Sequence, residues 1–484
     1  MTCRSKSSRL IYPYKMSISL IFATDTNGLF GLNGSIPWSC AQDMRHFQCT
    51  TMDTFAENVL VMGRKTFESL PKKLEGRRHV VLSKSAVKGA DACFASFEEF
   101  LTNSKSRFPK TNVFVIGGAK LIETVFHDHR YLVDTVYYSE IQQSITPDSE
   151  NDAVYMNSEI LRDIKTKAAH TKEAEGVVFY KYQPKKHPEF QYLETLSDCL
   201  TKGTVRQTRN GNTYSMFHRS MTFDLREGFP LLTTKKVFMR GIFEELMFFL
   251  KGQTNSKLLE DKQINIWKPN TTKQFIESCG LPYQEGDMGP MYGWNWKHFG
   301  TEYESCLTDY TNKGFNQIEY AMNLLRKDPY SRRILMTTYN PAQAGKGVLY
   351  PCHSLVIQFY AEEDKDAVGG YLISMNMYQR SVDMACGLPF NIASNALLLH
   401  LVCETLNKTE SVRYSPKNLN ILLGDIHVYE QHIDGVKEQI AREPYTFPKL
   451  VFKQTHKSIE EYTYDDIVVD GYVSHAPIKY QMIA

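Results

Sequence analysis

Short, dense apolar runs punctuate the first third of this chain. Ile18, Leu20, Ile21 and Phe22 crowd residues 17–24, a stretch too short for a stable helix, and predict a buried strand. Similar runs recur at 58–62, 78–82, 112–116, 133–141 and 176–182. Between them the spacing lengthens to that of a helix. Residues 41–50 set Asp43 and Phe47 four apart on one face, and further helices open after Gly63 and span 119–126. Asn27-Gly28 and Gly31-Leu32-Asn33-Gly34 predict a turn-rich loop ending at Ile36-Pro37-Trp38. Strands alternating with helices make an α/β unit, a mostly parallel sheet with flanking helices. The pattern shifts after Gln183-Pro184-Lys185-Lys186-His187-Pro188. Beyond it, helices are expected at 189–200, 237–250, 316–327, 388–406 and 427–441, with strands at 212–225 and around Cys352, an α+β arrangement. The expected organisation is a tail at 1–15, a domain at 16–183, a short linker at 184–188 and a domain at 189–484.

Length and composition narrow the classes. A chain of 484 residues holds two or three domains, and 42% hydrophobic with 23% charged residues is a globular balance. A formal net charge of +2 gives no case for a nucleic-acid partner. No apolar run reaches membrane-span length, because Glu244 and Glu245 break the best candidate. Ten cysteines without a C-x-x-C pair suit free thiols in a reducing compartment, the cytoplasm, and argue against a metal site. Residues 1–15 are basic, serine-rich and free of acids; they are read as a tail before Met16, with a weak resemblance to a targeting segment as the alternative.

The stretch richest in chemistry is Leu349-Tyr350-Pro351-Cys352-His353-Ser354. A thiolate is the strongest nucleophile among ordinary side chains, and neighbouring cations or donors lower its pKa. Asp328-Pro329-Tyr330-Ser331-Arg332-Arg333 precedes it. Tyr378-Gln379-Arg380-Ser381-Val382-Asp383, Gly387-Leu388-Pro389-Phe390-Asn391 and Gly424-Asp425-Ile426-His427-Val428-Tyr429 follow. In this order the motifs resemble thymidylate synthase. The resemblance implies that Cys352 adds to C6 of dUMP and makes C5 nucleophilic toward 5,10-methylenetetrahydrofolate. It implies dUMP contacts by Arg209, Gln379, Arg380, Ser381, Asp383, Asn391, His427 and Tyr429. Arg332 and Arg333 would reach the phosphate of the neighbouring subunit, making the active form a homodimer. Asn391 offers a donor for O4 and an acceptor for N3–H. Glu245 and Tyr292, with His353, would organise water and proton transfer. Trp267 and Asp383 would face the folate, and Gln481-Met482-Ile483-Ala484 would close over the ligands.

The first domain resembles dihydrofolate reductase. The carriers are Ile36-Pro37-Trp38, Asp43, Met62-Gly63-Arg64-Lys65-Thr66, Gly76-Arg77, Leu82-Ser83-Lys84 and Val115-Ile116-Gly117-Gly118. The resemblance implies folate contacts by Ala23, Asp43, Phe47 and Arg77, with Arg77 on the glutamate α-carboxylate. It implies NADPH held by Ala23, Arg64, Lys65, Thr66, Ser83, Lys84, Gly117 and Gly118, the last two across a cis peptide. Asp43 would fork to the pterin and manage the proton added at N5. The chain departs from the family at Ile122, where a tyrosine usually stands near the nicotinamide. Together the two halves resemble the bifunctional dihydrofolate reductase–thymidylate synthases. A nucleotide hydroxymethylase of the same fold is the nearest alternative, but an acid in place of Asn391 would suit cytosine. A Cys–His protease lacks a local signature around Cys352. A non-catalytic RNA-binding protein does not suit the balanced charge.

Overall fold

The computed structural model describes residues 18–52, 58–108, 111–129, 132–149, 152–184, 186–208, 210–367 and 369–481. The expected tail at 1–15 and the linker residue Lys185 lie outside them. The chain divides into two compact units, Met1–Lys186 and His187–Ala484.

The first unit holds β1 (Ile18–Asp25), β2 (Leu29–Leu32), β3 (Asn58–Gly63), β4 (Arg77–Leu82), β5 (Ala92–Phe94), β6 (Val113–Gly117), β7 (Val133–Ile141), β8 (Ala153–Tyr155), β9 (His170–Ala174) and β10 (Val177–Tyr182). Eight of them form one sheet in the order β5-β4-β3-β6-β1-β7-β10-β9. It is parallel from β5 to β7, and β10 and β9 add to its edge antiparallel. Side chains that alternate along a strand serve opposite faces. Ile18, Leu20, Phe22, Val59 and Val61 enter one core, while Ile21, Leu60 and Met62 enter the other. Strands buried on both faces read as unbroken apolar runs, which made the central strands legible. The polar edge strand β9 is almost wholly exposed and has no such run. Ile122 is fully buried in the first core.

The second unit holds β11 (Thr204–Thr208), β12 (Gly211–Asp224), β13 (Leu335–Thr337), β14 (Val356–Asp364), β15 (Gly370–Asp383), β16 (Tyr414–Tyr429), β17 (Lys449–Phe452) and β18 (Ile467–Asp470). The main sheet runs β11-β12-β16-β15-β14-β13, and β17 pairs with β18. All its pairs are antiparallel except β15–β16, which the 23-residue helix Gly387–Thr409 connects. That helix packs on the sheet, as does Phe190–Lys202, and Met239–Leu250 packs against Gly387–Thr409. The opposite face stays open, and there Val356, Tyr378 and Leu422 stand exposed and in register.

One expectation is corrected here. Residues 427–441 do not form one helix. His427 and Tyr429 end the strand Tyr414–Tyr429, and the helix is Ile433–Ile440. His427 pairs with Ser215 on one side and Asp383 on the other, so two neighbouring strands claim it. Among the described residues no helix is long and apolar enough to cross a membrane.

Candidate active sites

In the first unit β1 and β7 run side by side with Ala23 opposite Ser139. Asp43, in the first turn of the helix Ala41–Thr51, pairs with the Ser139 side chain. Burial pushes its carboxyl above the usual carboxylate range, while Ser139 and the nearby His46 pull back. Phe47, one turn on, packs against the second core. Arg77 anchors the far end of the same helix: its Nη1 donates to Thr51 Oγ1 at 2.9 Å and its Nε to the Glu75 carbonyl at 3.1 Å. Asp43 and Thr51 lie ~12 Å apart along the helix axis. A ligand acidic at one end and carrying N–H donors at the other would span these two positions.

The remaining first-unit candidates meet because β4, β3 and β6 are adjacent and parallel. Their carboxyl ends lead into Ser83-Lys84, Arg64-Lys65-Thr66 and Gly117-Gly118, so three loops share one edge. The Thr66 side chain stands 3.4 Å from where a Cβ on Gly117 would lie, and the Gly117–Gly118 peptide is cis. Arg64 Nη1 donates to Ser85 Oγ at 3.3 Å, tying two of the loops together, and Lys65 and Lys84 are exposed. Closely approachable backbone ringed by cations suits an anionic dinucleotide.

In the second unit the site is built around the loop before β14. Cys352 is half-buried. Tyr292 Oη lies 3.3 Å from its sulfur and accepts from its backbone N–H at 3.2 Å. Gly293 makes this possible. A Cβ there would fall 2.1 Å from the Phe249 carbonyl oxygen, so only glycine lets Tyr292 lie against the helix Met239–Leu250. Tyr292 itself has φ 46°, a left-handed conformation that is costly for a non-glycine residue and is held by its surroundings. Its ring stacks on Phe249 at 5.0 Å and on His353 at 4.4 Å. Arg380 donates from Nε to the Pro351 carbonyl at 3.3 Å, and its backbone N–H to the Cys352 carbonyl at 2.8 Å. Burial pushes the Cys352 thiol up, and the Tyr292 hydroxyl and Arg380 work against it.

A carboxyl and a neutral imidazole complete this constellation. Glu245 is 7% exposed, and burial pushes it up to about 7 although Trp267 Nε1 donates to its Oε1 at 2.8 Å. Burial lowers His353 to about 4, so its ring is neutral near pH 7. Asn391 is buried, and its backbone carbonyl accepts from Nδ2 of Asn395, whose Oδ1 accepts in turn from Ser354 Oγ. Gln379 is buried with Oε1 unpaired among the described residues, an acceptor facing no protein donor. At the end of β15, Ser381 lies opposite Asp425 and Asp383 opposite His427. His427 Nδ1 contacts Asp425 Oδ1 at 2.9 Å, which fixes the ring.

Two candidates do not join the cysteine within the chain. Arg332 and Arg333 are exposed and form no hydrogen bond or ion pair among the described residues. Arg209 lies outside the described residues, as do Met482, Ile483 and Ala484. Sequence reasoning missed Ser139, Asn395, Lys235 and His432. Each acts through a long-range contact, and only the Thr-Thr-Lys-Lys run around Lys235 carried a visible signal.

A family model described as thymidylate synthase matches residues 190–484, and one described as dihydrofolate reductase matches residues 17–183. The chain is 36% identical over 485 residues to a bifunctional dihydrofolate reductase-thymidylate synthase of Paramecium tetraurelia, covering 96% of this chain and 98% of that one. It is 34% identical to the Zea mays protein of that name, covering 93% and 94%. With the Leishmania major protein it shares 36%, covering 97% and 96%.

Proposed function

We propose a role for each of these side chains in a chain that belongs to the dihydrofolate reductase and thymidylate synthase families and joins both in one polypeptide. It is a bifunctional enzyme: it methylates dUMP to dTMP with 5,10-methylenetetrahydrofolate and reduces the dihydrofolate product with NADPH. On this reading residues 16–183 and 189–484 carry one activity each, joined by 184–188.

In the synthase, Cys352 attacks C6 of the uracil. The bond it forms pushes electron density to C5 and O4, and C5 then takes the one-carbon unit. The folate also supplies the reducing equivalents and leaves as dihydrofolate. Arg380 and Ser381 hold the phosphate, and Arg380 favours the thiolate. Arg209, Gln379 and Asp383 contribute further dUMP contacts, and Asn391 reads the base. His427 and Tyr429 hold the ribose hydroxyl. Glu245 stands near its own pKa at neutral pH and both takes and returns protons through water, with Tyr292 and His353 ordering that water. Trp267 and Asp383 face the folate. The single observation that carries this reading is the convergence of Tyr292 and Arg380 on the Cys352 loop, with Trp267 on Glu245 beside them.

In the reductase, NADPH supplies a hydride. Thr66, Gly117 and Gly118 give its backbone a close approach, Arg64, Lys65, Ser83 and Lys84 meet its phosphates, and Ala23 lines the floor. Asp43 accepts the pterin N–H and amino groups and manages, through water, the proton added at N5. Phe47 packs on the folate, and Arg77 takes the α-carboxylate.

The active form on this reading is a homodimer through the synthase unit. Arg332 and Arg333, exposed and without a partner among the described residues, and the open sheet face with Val356, Tyr378 and Leu422 in register, support it. The free cysteines Cys40, Cys49, Cys93, Cys199, Cys279, Cys306, Cys352, Cys386 and Cys403 support a reducing, cytoplasmic location. A 5-fluoro analogue of dUMP with methylenetetrahydrofolate tests the core of the reading. Fluorine cannot leave C5 as a proton does, so a covalent adduct on Cys352 is expected by mass spectrometry. Its absence, with both ligands bound, would overturn the nucleophile assignment.

A further inference from the structure

His432 is almost fully buried, between the site's folate side and the carboxyl-terminal segment. Its Nε2 lies 2.7 Å from the Gln481 carbonyl oxygen. A carbonyl only accepts, so Nε2 carries a proton. Its Nδ1 faces Asp383 Oδ1 at 3.7 Å and has no other partner among the described residues. A neutral ring would then aim a lone pair at a carboxylate. A second proton on Nδ1 removes that repulsion and makes an ion pair.

The surroundings agree with a charged ring. From β16, Tyr429 meets it edge-on at 5.7 Å, and Tyr480 of the terminal segment does so at 5.1 Å. One polar atom each of Asp383, Cys386 and His432 lie within 4.8 Å of one another. Lys235 is the opposing cation: its Nζ donates to the Ala385 carbonyl and sits 4.7 Å over the Tyr480 ring, and its charge disfavours the imidazolium. Burial disfavours it too, yet the Asp383 carboxylate prevails and His432 is raised above its ordinary value. Asp383 Oδ1 is also held by the backbone N–H groups of Ala385 at 2.8 Å and Cys386 at 3.3 Å, and the Cys386 thiol hydrogen-bonds the same carboxylate. The terminal segment has a seat prepared on the helix Ile433–Ile440. A Cβ on Gly435 would fall 2.7 Å from Tyr480 Cε1 and 2.9 Å from Ile478 Cγ2.

We propose that His432, held as an imidazolium, is a positioning residue that fastens the carboxyl-terminal segment to Asp383, so that seating of the segment and occupation of the folate side are coupled. The proposal rests on the reading that Asp383 faces methylenetetrahydrofolate. Its pH sense follows from the raised value. The latch is closed in acid and opens as pH rises through the folded-state pKa of His432.

The test uses the full-length enzyme. In wild type, KM for methylenetetrahydrofolate should rise by roughly tenfold, the size of one charge-assisted contact, as pH passes through that pKa. Glu245, pushed up to about 7, acts on kcat. His432→Gln keeps a donor for the Gln481 carbonyl and cannot carry charge. It should show the raised folate KM at every pH, with no step. Carboxypeptidase release of the terminal residues, from wild type bound to dUMP and a folate analogue, should quicken with pH over the same range. This second readout needs no variant to fold. A folate KM and a release rate that are flat with pH in wild type, or a His432→Gln enzyme retaining the wild-type step, would overturn the latch. Asp383→Asn separates the premise. If it leaves the folate KM unchanged, the folate reading of Asp383 fails; if it raises KM while His432→Gln does nothing, the latch alone fails.

Discussion

Replacing Glu245 with glutamine should stabilise the synthase unit at alkaline pH while removing most of its activity. The carboxyl sits on the helix Met239–Leu250, 7% exposed, with one donor, Trp267 Nε1 at 2.8 Å. Burial lifts it from an ordinary 4.5 to about 7. At ~1.4 kcal/mol per pH unit, ionising it in place costs on the order of 3 kcal/mol. The sign follows from proton counting. Between those two values the folded chain holds a proton that the unfolded chain has released. The stability it contributes is fully present below 4.5 and is lost as pH rises through about 7. Glutamine keeps the acceptor for Trp267 and does not titrate. Calorimetry at a series of pH values, with the two units' transitions resolved, should show Glu245→Gln gaining on wild type as pH rises. The gain should level off above about 7, at no more than ~3 kcal/mol, because the new amide N–H groups also need partners. Synthase kcat should fall by about a hundredfold or more, the scale of a lost general acid–base. A stability difference constant with pH, or an unchanged kcat, would refute the assignment of Glu245 as a carboxyl poised near neutrality.

Asp43→Asn should depress dihydrofolate reduction and flatten its pH profile. The wild-type carboxyl, raised by burial, loses its proton as pH rises through its elevated pKa, so wild-type activity should fall there while the variant stays uniformly low. NADPH oxidation across pH checks this. Cys352→Ser should abolish dTMP formation and leave NADPH oxidation nearly intact, because the two candidate sites lie in different units. Mixing Cys352→Ser with Arg333→Glu, each nearly inactive alone, should restore up to about a quarter of wild-type synthase activity, since one pocket of each heterodimer is complete. Inactive verified heterodimers would refute arginine sharing. Glu189→Ala should destabilise the synthase unit by ~3 kcal/mol or more in denaturant. Its buried carboxylate accepts from the backbone and hydroxyl groups of both Thr233 and Thr234, at 2.6 to 2.8 Å.

The sequence by itself determined the most apolar elements and the chemistry of the candidate residues. Continuous apolar runs betrayed β1, β3 and β6 because parallel strands are buried on both faces. Cys352, Arg380, Asn391 and Asp43 stood out because nucleophiles, phosphate-binding cations and buried acids are residue types with few substitutes. Tertiary structure alone decided the rest. The polar strand β9 exists only because β10 offers it a partner, and His427 is strand because Ser215 and Asp383 pair with it. Ser139, Asn395 and His432 act across gaps of 41 to 96 residues or against a chain end 49 residues away, distances that no local pattern encodes. The protonation of His432 follows from what its two nitrogens face, and the elevated carboxyl of Glu245 from the helix and aromatic rings that exclude water from it. Identity fixes what a side chain is able to do, whereas burial and long-range partners fix which charge state it keeps.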